Sequence, residues 1–339
     1  MNDIKPTNPF FYNYNKLKSA KKILMFSSDK DFESQKNAIY QQLCELVKMP
    51  EPLKKCKTVI VEKTADLEFD EIRFLFESEP DFWVPAHLIY PKHFEGKLPL
   101  VICLQGHSPG MHISLGRKPY PSREPITVEG DRDFCIQAVR RGYAALALEQ
   151  RGFGELSYKQ NGENCCHELV CQATLTGKTL LGQRLYDISN AITATLSEFN
   201  FIDADKIGIM GNSGGGTSSF YAACFDERIK VSMPASSFCS IADAWGGIYH
   251  CSCSYINGIL NYFEMADVSI LIAPRYLIVV NGIHDHLQPF ESAKSEFERV
   301  KDIFEKAGAK DNCKFIIGPE GHRFYADLAW DHFDEFIKK

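Results

Sequence analysis

Three residues of this 339-residue chain have the types that acyl transfer demands: Ser213 in GNSGGG, Asp285 in NGIHDHLQP and His322 in GPEGHRF. A serine hydroxyl is a weak nucleophile until a base takes its proton. An imidazole can do so, and a buried carboxylate then fixes its tautomer and stabilises the imidazolium. The three residues follow the order Ser, Asp, His, separated by 72 and 37 residues, each directly behind an apolar β-type run: KIGIM, RYLIVV and CKFII. Groups just past the carboxyl ends of such strands are where an open α/β sheet binds its ligands. Asp285 is chosen as the acid by this position. Glu320 is too close in sequence to His322 to approach the ring from behind, and Asp267 falls in a long inter-strand segment. His284 and His286, flanking the acid, are expected to be structural or to line a pocket.

Ser213 sits in a Gly-x-Ser-x-Gly turn. On its own that pentapeptide is a weak signal, but behind a strand it builds a strained strand-to-helix elbow, with Gly211 and Gly215 where strand and helix nearly touch. The developing oxyanion needs two donors. One expected donor is the backbone N–H of Gly214, the residue after the nucleophile. The other is the N–H of His107 in LQGHSPG, the loop behind the strand-like run LPLVICL, where Gly106 gives the backbone room to turn.

These residues must be held by a particular order of elements. Residues 1–56 read as a polar-amphipathic helical extension, with Asp31 near a helix start and Pro50 past its end. From residue 57 the period becomes two, in TVIVEK, EIRFLFES, WVPAHLIYP and LPLVICL, the mark of an antiparallel entry to a sheet. Beyond it, strand-like and helix-like runs alternate. The expected fold is therefore α/β: a doubly wound, mostly parallel sheet with antiparallel N-terminal strands. Residues 57–339 form one catalytic domain in this reading. Within it, 235–272 is an insertion over the site whose aromatic residues, Trp245, Tyr249, Tyr255, Tyr262 and Phe263, either shape the pocket or pack on the core.

Composition narrows the function. A formal charge of −6, pI near 6.0 and 45% apolar content suit a globular core and give no footprint for nucleic acid or an anionic membrane. No signal-peptide core or membrane-length apolar run is seen, so a soluble cytoplasmic protein is expected. The 12 cysteines lack a disulfide framework. Cys165, Cys166 and His167, and the run His250, Cys251, Ser252, Cys253, are of zinc-ligand type. Without paired C-x-x-C spacing they are read as packed loops near the site, and neither a metal nor a cofactor is expected.

On these motifs the chain resembles the α/β-hydrolase superfamily, and within it the acetyl xylan esterase and dienelactone-hydrolase-like branch, over about residues 57–339. LQGH at 104–107 is similar to that branch's His-Gly-aromatic oxyanion turn, with Gln105 and His107 replacing the usual residues. EQRGFG at 149–154 is similar to its Asp-x-Arg-Gly-x-Gly motif, with Glu149 in place of aspartate and Arg151 expected to brace the loops near the elbow. Gly214 stands where acetyl xylan esterases often carry glutamine. The cysteine nucleophile of dienelactone hydrolases proper is absent. The resemblance implies a serine esterase acting on small acyl groups, acetyl on a sugar or other polar alcohol first among them, with a small-molecule ester as partner and self-association left open. Two other readings stand beside it. One is a prolyl-oligopeptidase-like peptidase, although the stretch before Gln105 is too short for the propeller such enzymes carry. The other is a hydrolase fold that has lost catalysis and serves in binding.

Overall fold

The computed structural model describes residues 7–53, 55–65, 68–160 and 162–339. Residues 1–6 and 54 of the stretch read as an N-terminal extension lie outside them. Its described part holds helices α1 (Pro9–Lys18) and α2 (Phe32–Val47). Asp31 caps α2 by accepting the Ser34 N–H at 2.8 Å, and Lys48 ends it in a left-handed conformation.

The period-two runs become strands β1 (Thr58–Ala65), β2 (Phe69–Glu79), β3 (Phe82–Pro91) and β4 (Leu98–Leu104). Then follow α3 (Phe134–Arg140), β5 (Ala144–Leu148), α4 (Cys166–Leu175), α5 (Leu180–Glu198), β6 (Ile202–Asn212), α6 (Gly214–Phe225) and β7 (Ile229–Ala235). The short helix α7 (Met265–Val268), β8 (Tyr276–Gly282), α8 (Phe290–Lys306), β9 (Cys313–Gly318) and α9 (Ala326–Lys338) complete the chain. One expectation is corrected: the Cys165–Cys171 segment is not a loop, because from Cys166 it winds into α4.

Among the described residues nine strands join one sheet in the order β1-β2-β3-β5-β4-β6-β7-β8-β9. The pairs β1/β2, β2/β3 and β3/β5 are antiparallel, and every pair from β5/β4 onward is parallel. Side chains alternate across the pleat, so each central strand feeds two cores. Leu100, Ile102 and Leu104 of β4 pack with Leu185 of α5, Phe220 of α6 and Phe297 of α8 on one face. Val101 and Cys103 pack with Phe134 of α3 and Trp330 and Phe333 of α9 on the other. This is why these strands read as continuous apolar runs rather than as alternating ones.

From β4 the chain runs to β5 on one side and returns to β6 on the other. That reversal opens a crevice at the carboxyl ends of β4 and β6. The register pairs Leu104 with Gly211 and so sets the LQGH loop beside the GNSGGG turn.

Candidate functional site

Ser213 occupies the turn between β6 and α6 with φ 56° and ψ −123°, a conformation that L-residues avoid. Holding it costs on the order of 1–3 kcal/mol, which the surroundings must supply. Part of the hold is visible: the Ser213 N–H donates to the carbonyl of Ala235 at 2.8 Å. Close packing does the rest. A Cβ on Gly211 would stand 2.8 Å from the Leu104 carbonyl oxygen, and one on Gly215 would stand 2.7 Å from that of Gln105.

Asp285 and His322 come from the loops after β8 and β9 and meet. The His322 Nδ1–H donates to both Asp285 carboxylate oxygens, at 3.0 Å each. Asp285 Oδ1 also accepts the N–H groups of Leu287 and Gln288 at 2.9 and 3.0 Å. Burial works to raise the Asp285 pKa, but His322 and these two N–H groups outweigh it and hold the carboxyl below its ordinary value. With Nδ1 engaged, the free nitrogen of His322 is Nε2. Ser213 and His322 line the same cleft. One lobe of 630 Å³ runs past Gly106, Arg132 and Arg323, and another of 570 Å³ past Trp245, Tyr249 and His250.

The rival acids are placed elsewhere. Glu320 pairs with Arg323 at the surface, at 2.8 Å, and Asp267 is fully buried, bonded to Arg299 and to the Phe26 N–H. His284 and His286 are exposed, and the His286 ring lies 5.9 Å from that of His322. The aromatic residues of 235–272 divide: Trp245 and Tyr249 face the cleft, whereas Phe263 is buried in the core.

His107 and Gly214 both border the cleft. Neither backbone N–H donates to a protein acceptor among the described residues. Behind them a buried polar frame fixes the loops. Gln105 Nε2 donates to Ser114 Oγ and the Arg132 carbonyl, at 2.7 Å each, while Gln150 bridges the Gln105 carbonyl and Ser218 of α6. Arg151 is buried and bidentate to Asp187 of α5, with two bonds of 2.7 Å, and pairs with Glu79 of β2 at 2.6 Å. Glu149 is buried with its carboxyl oxygens against the N–H groups of Met111 and Glu155, and burial pushes its pKa up to about 8.

The structure also joins groups that the sequence keeps far apart. Nε2 of His107 and the sulfurs of Cys166, Cys251 and Cys253 lie within 4.8 Å of one another. His107 Nε2 is 3.2 Å from Cys253 Sγ and 3.9 Å from Cys166 Sγ. Both segments read as zinc-ligand type in the sequence contribute, Cys166 from one and Cys251 and Cys253 from the other, but each also held non-members, and His250 stacks on Trp245 and bonds the Leu287 carbonyl instead.

A nine-stranded α/β sheet with a serine on a strained elbow and a His–Asp pair beyond later strands defines an α/β-hydrolase. Residues 13–219 match the Abhydrolase family, and the chain belongs to it. It is 28% identical over 253 residues to a Bacillus subtilis (strain 168) protein named "Putative hydrolase YtaP", covering 70% of this chain and 77% of that one. Among solved structures it superposes on a "putative acetyl xylan esterase" from Bacteroides fragilis with TM-score 0.78 and 16% identity, over 93% of this chain and 83% of that one. It superposes on a glucuronoyl esterase from Solibacter usitatus with TM-score 0.67 and 14% identity, over 90% and 91% of the two chains. At such identities the superpositions speak for the fold. No helix among the described residues is long and apolar enough to cross a membrane.

Proposed function

We propose that this hydrolase cleaves carboxylic esters with small acyl groups, acetyl esters of sugars or other polar alcohols foremost, through an acyl-enzyme on Ser213. The observation that carries the reading is the Asp285–His322 pair opening into the cleft that Ser213 lines. His322 Nε2 takes the Ser213 proton as Oγ attacks the ester carbonyl, while Asp285 holds the ring in the Nδ1–H tautomer. The N–H groups of His107 and Gly214 donate to the carbonyl oxygen as charge gathers on it. His322 then protonates the departing alcohol, and water repeats the steps on the acyl-enzyme.

The lining of the cleft favours a polar alcohol. One lobe carries Arg132 and Arg323 and the other the faces of Trp245 and Tyr249, whereas a long acyl chain would call for an enclosed aliphatic tunnel. The names of the superposed esterases point the same way. The test is hydrolysis of p-nitrophenyl esters and acetylated oligosaccharides by the wild type and by Ser213→Ala, alongside labelling by a fluorophosphonate. Acetyl esters are expected to be preferred, with activity and labelling both lost in Ser213→Ala. Retention of most activity by the variant, or no activity on any ester, would overturn the reading.

A further inference from the structure

His107, Cys166, Cys251 and Cys253 come from three segments that no sheet pairing joins: the loop after β4, the first residue of α4, and the turn at 251–253 between β7 and β8. We propose that His107 Nε2 and the thiolates of Cys166, Cys251 and Cys253 form a closed tetrahedral site for a zinc-type divalent cation. A four-coordinate zinc holds sulfur at about 2.3 Å and nitrogen at about 2.0–2.1 Å, so its ligand atoms stand roughly 3.5–3.8 Å apart. The observed His107–Cys166 and His107–Cys253 separations of 3.9 and 3.2 Å straddle that spacing. Three soft sulfurs and one imidazole select zinc over the hard, oxygen-seeking cations.

Charge supplies an independent argument. Arg184 of α5 is 1% exposed and makes no salt bridge with a carboxylate among the described residues. Its guanidinium bonds the Arg151 carbonyl at 2.6 and 3.0 Å, lies over the Phe153 ring, and donates to Cys166 Sγ at 3.2 Å. A buried cation without a counter-ion is costly. A divalent metal with three thiolates and a neutral imidazole carries one net negative charge, which Arg184 balances. Each thiol gives its proton to solvent as the metal binds.

With all four positions filled by protein, the ion has no place for substrate, so its role is to clamp. It ties residues 59 and 146 positions apart to the His107 ring, and so holds the loop that carries the His107 N–H. The proposal stands independently of ester hydrolysis, since metal content is read without any substrate.

The test is elemental analysis of the full chain purified under reducing conditions and reconstituted with zinc. One zinc per chain is expected, together with a thiolate-to-cobalt charge-transfer band when metal-free protein is titrated with Co²⁺. The Cys251→Ser/Cys253→Ser double variant should lose the metal, and Arg184→Gln should bind it about 10-fold or more weakly. Sub-stoichiometric zinc in the reduced, reconstituted wild type, absence of the cobalt band, or undiminished metal in the double variant would overturn the site. The cobalt titration of the wild type decides the matter even if the variants fail to fold.

Discussion

The imidazole of His107 fills the space that a side chain at position 214 would need: a Cβ on Gly214 would stand 3.1 Å from Cε1 and 3.2 Å from Nδ1 of the ring. Glycine at this position suits the close approach of that ring. The ring is pinned on its far side, where Nε2 faces Cys253 and Phe153 packs edge-on at 5.1 Å. Two residues bordering the cleft beside Ser213 are thus coupled through one steric contact.

Gly214→Ala is expected to push the His107 loop by a few tenths of an ångström and to lower kcat/KM by about 10- to 100-fold, since small displacements of positioned groups are costly. Adding His107→Ala, which keeps the backbone N–H and removes the ring, should make the double variant's loss smaller than the product of the two single losses. Steady-state kinetics on an acetyl ester measures the coupling; strict multiplicativity would show that the contact is unimportant.

Asp285→Asn should leave the fold and KM largely intact and lower kcat by about 10³–10⁴-fold, because the ring loses its tautomeric anchor. Glu320→Gln touches only the exposed bond to Arg323 and should change kcat little. The reverse ranking would transfer the acid role to Glu320.

Arg151→Ala would strand Asp187, whose side chain is 1% exposed, as an uncompensated buried charge. The expected loss is about 3–5 kcal/mol, read from urea unfolding. Arg151→Lys should rescue only part of it, because a lysine cannot reproduce the bidentate geometry. A loss below about 1 kcal/mol would place the pair among ordinary surface bridges.

Two buried glutamates predict opposite pH responses. Burial raises the Glu149 pKa from the 4.5 of a free side chain to about 8. The unfolded chain therefore releases this proton first, and stability falls as pH rises through that window. Glu149→Gln should remove this slope, becoming more stable relative to wild type between about pH 5 and about pH 8. For Glu71, burial is outweighed by bonds from Arg117 and His87, which depress the pKa. Its contribution is present above the unfolded value and is lost as pH falls. Unfolding midpoints across pH measure both, and a Glu149→Gln difference that does not vary with pH would refute the first.

Much of this molecule was legible in the sequence because its signals are local. The runs KIGIM, RYLIVV and CKFII became β6, β8 and β9, and the residue expected past each lies at a carboxyl end of the sheet. Asp31 announced α2 because a capping carboxylate and the N–H it accepts are only three residues apart. Helix α4 was missed because two cysteines and a histidine open it with no capping side chain.

The sequence by itself determined the sheet, the elbow and the order of Ser213, Asp285 and His322, since strand periodicity, a glycine-bounded turn and position behind a strand are all properties of short stretches of chain. Only the tertiary structure decided that Arg151 is a buried brace, that His107 occupies the space beside Gly214, and that His107, Cys166, Cys251 and Cys253 converge. These depend on contacts between residues up to 146 positions apart, set by how loops fold over the strand ends, and no local spacing records them.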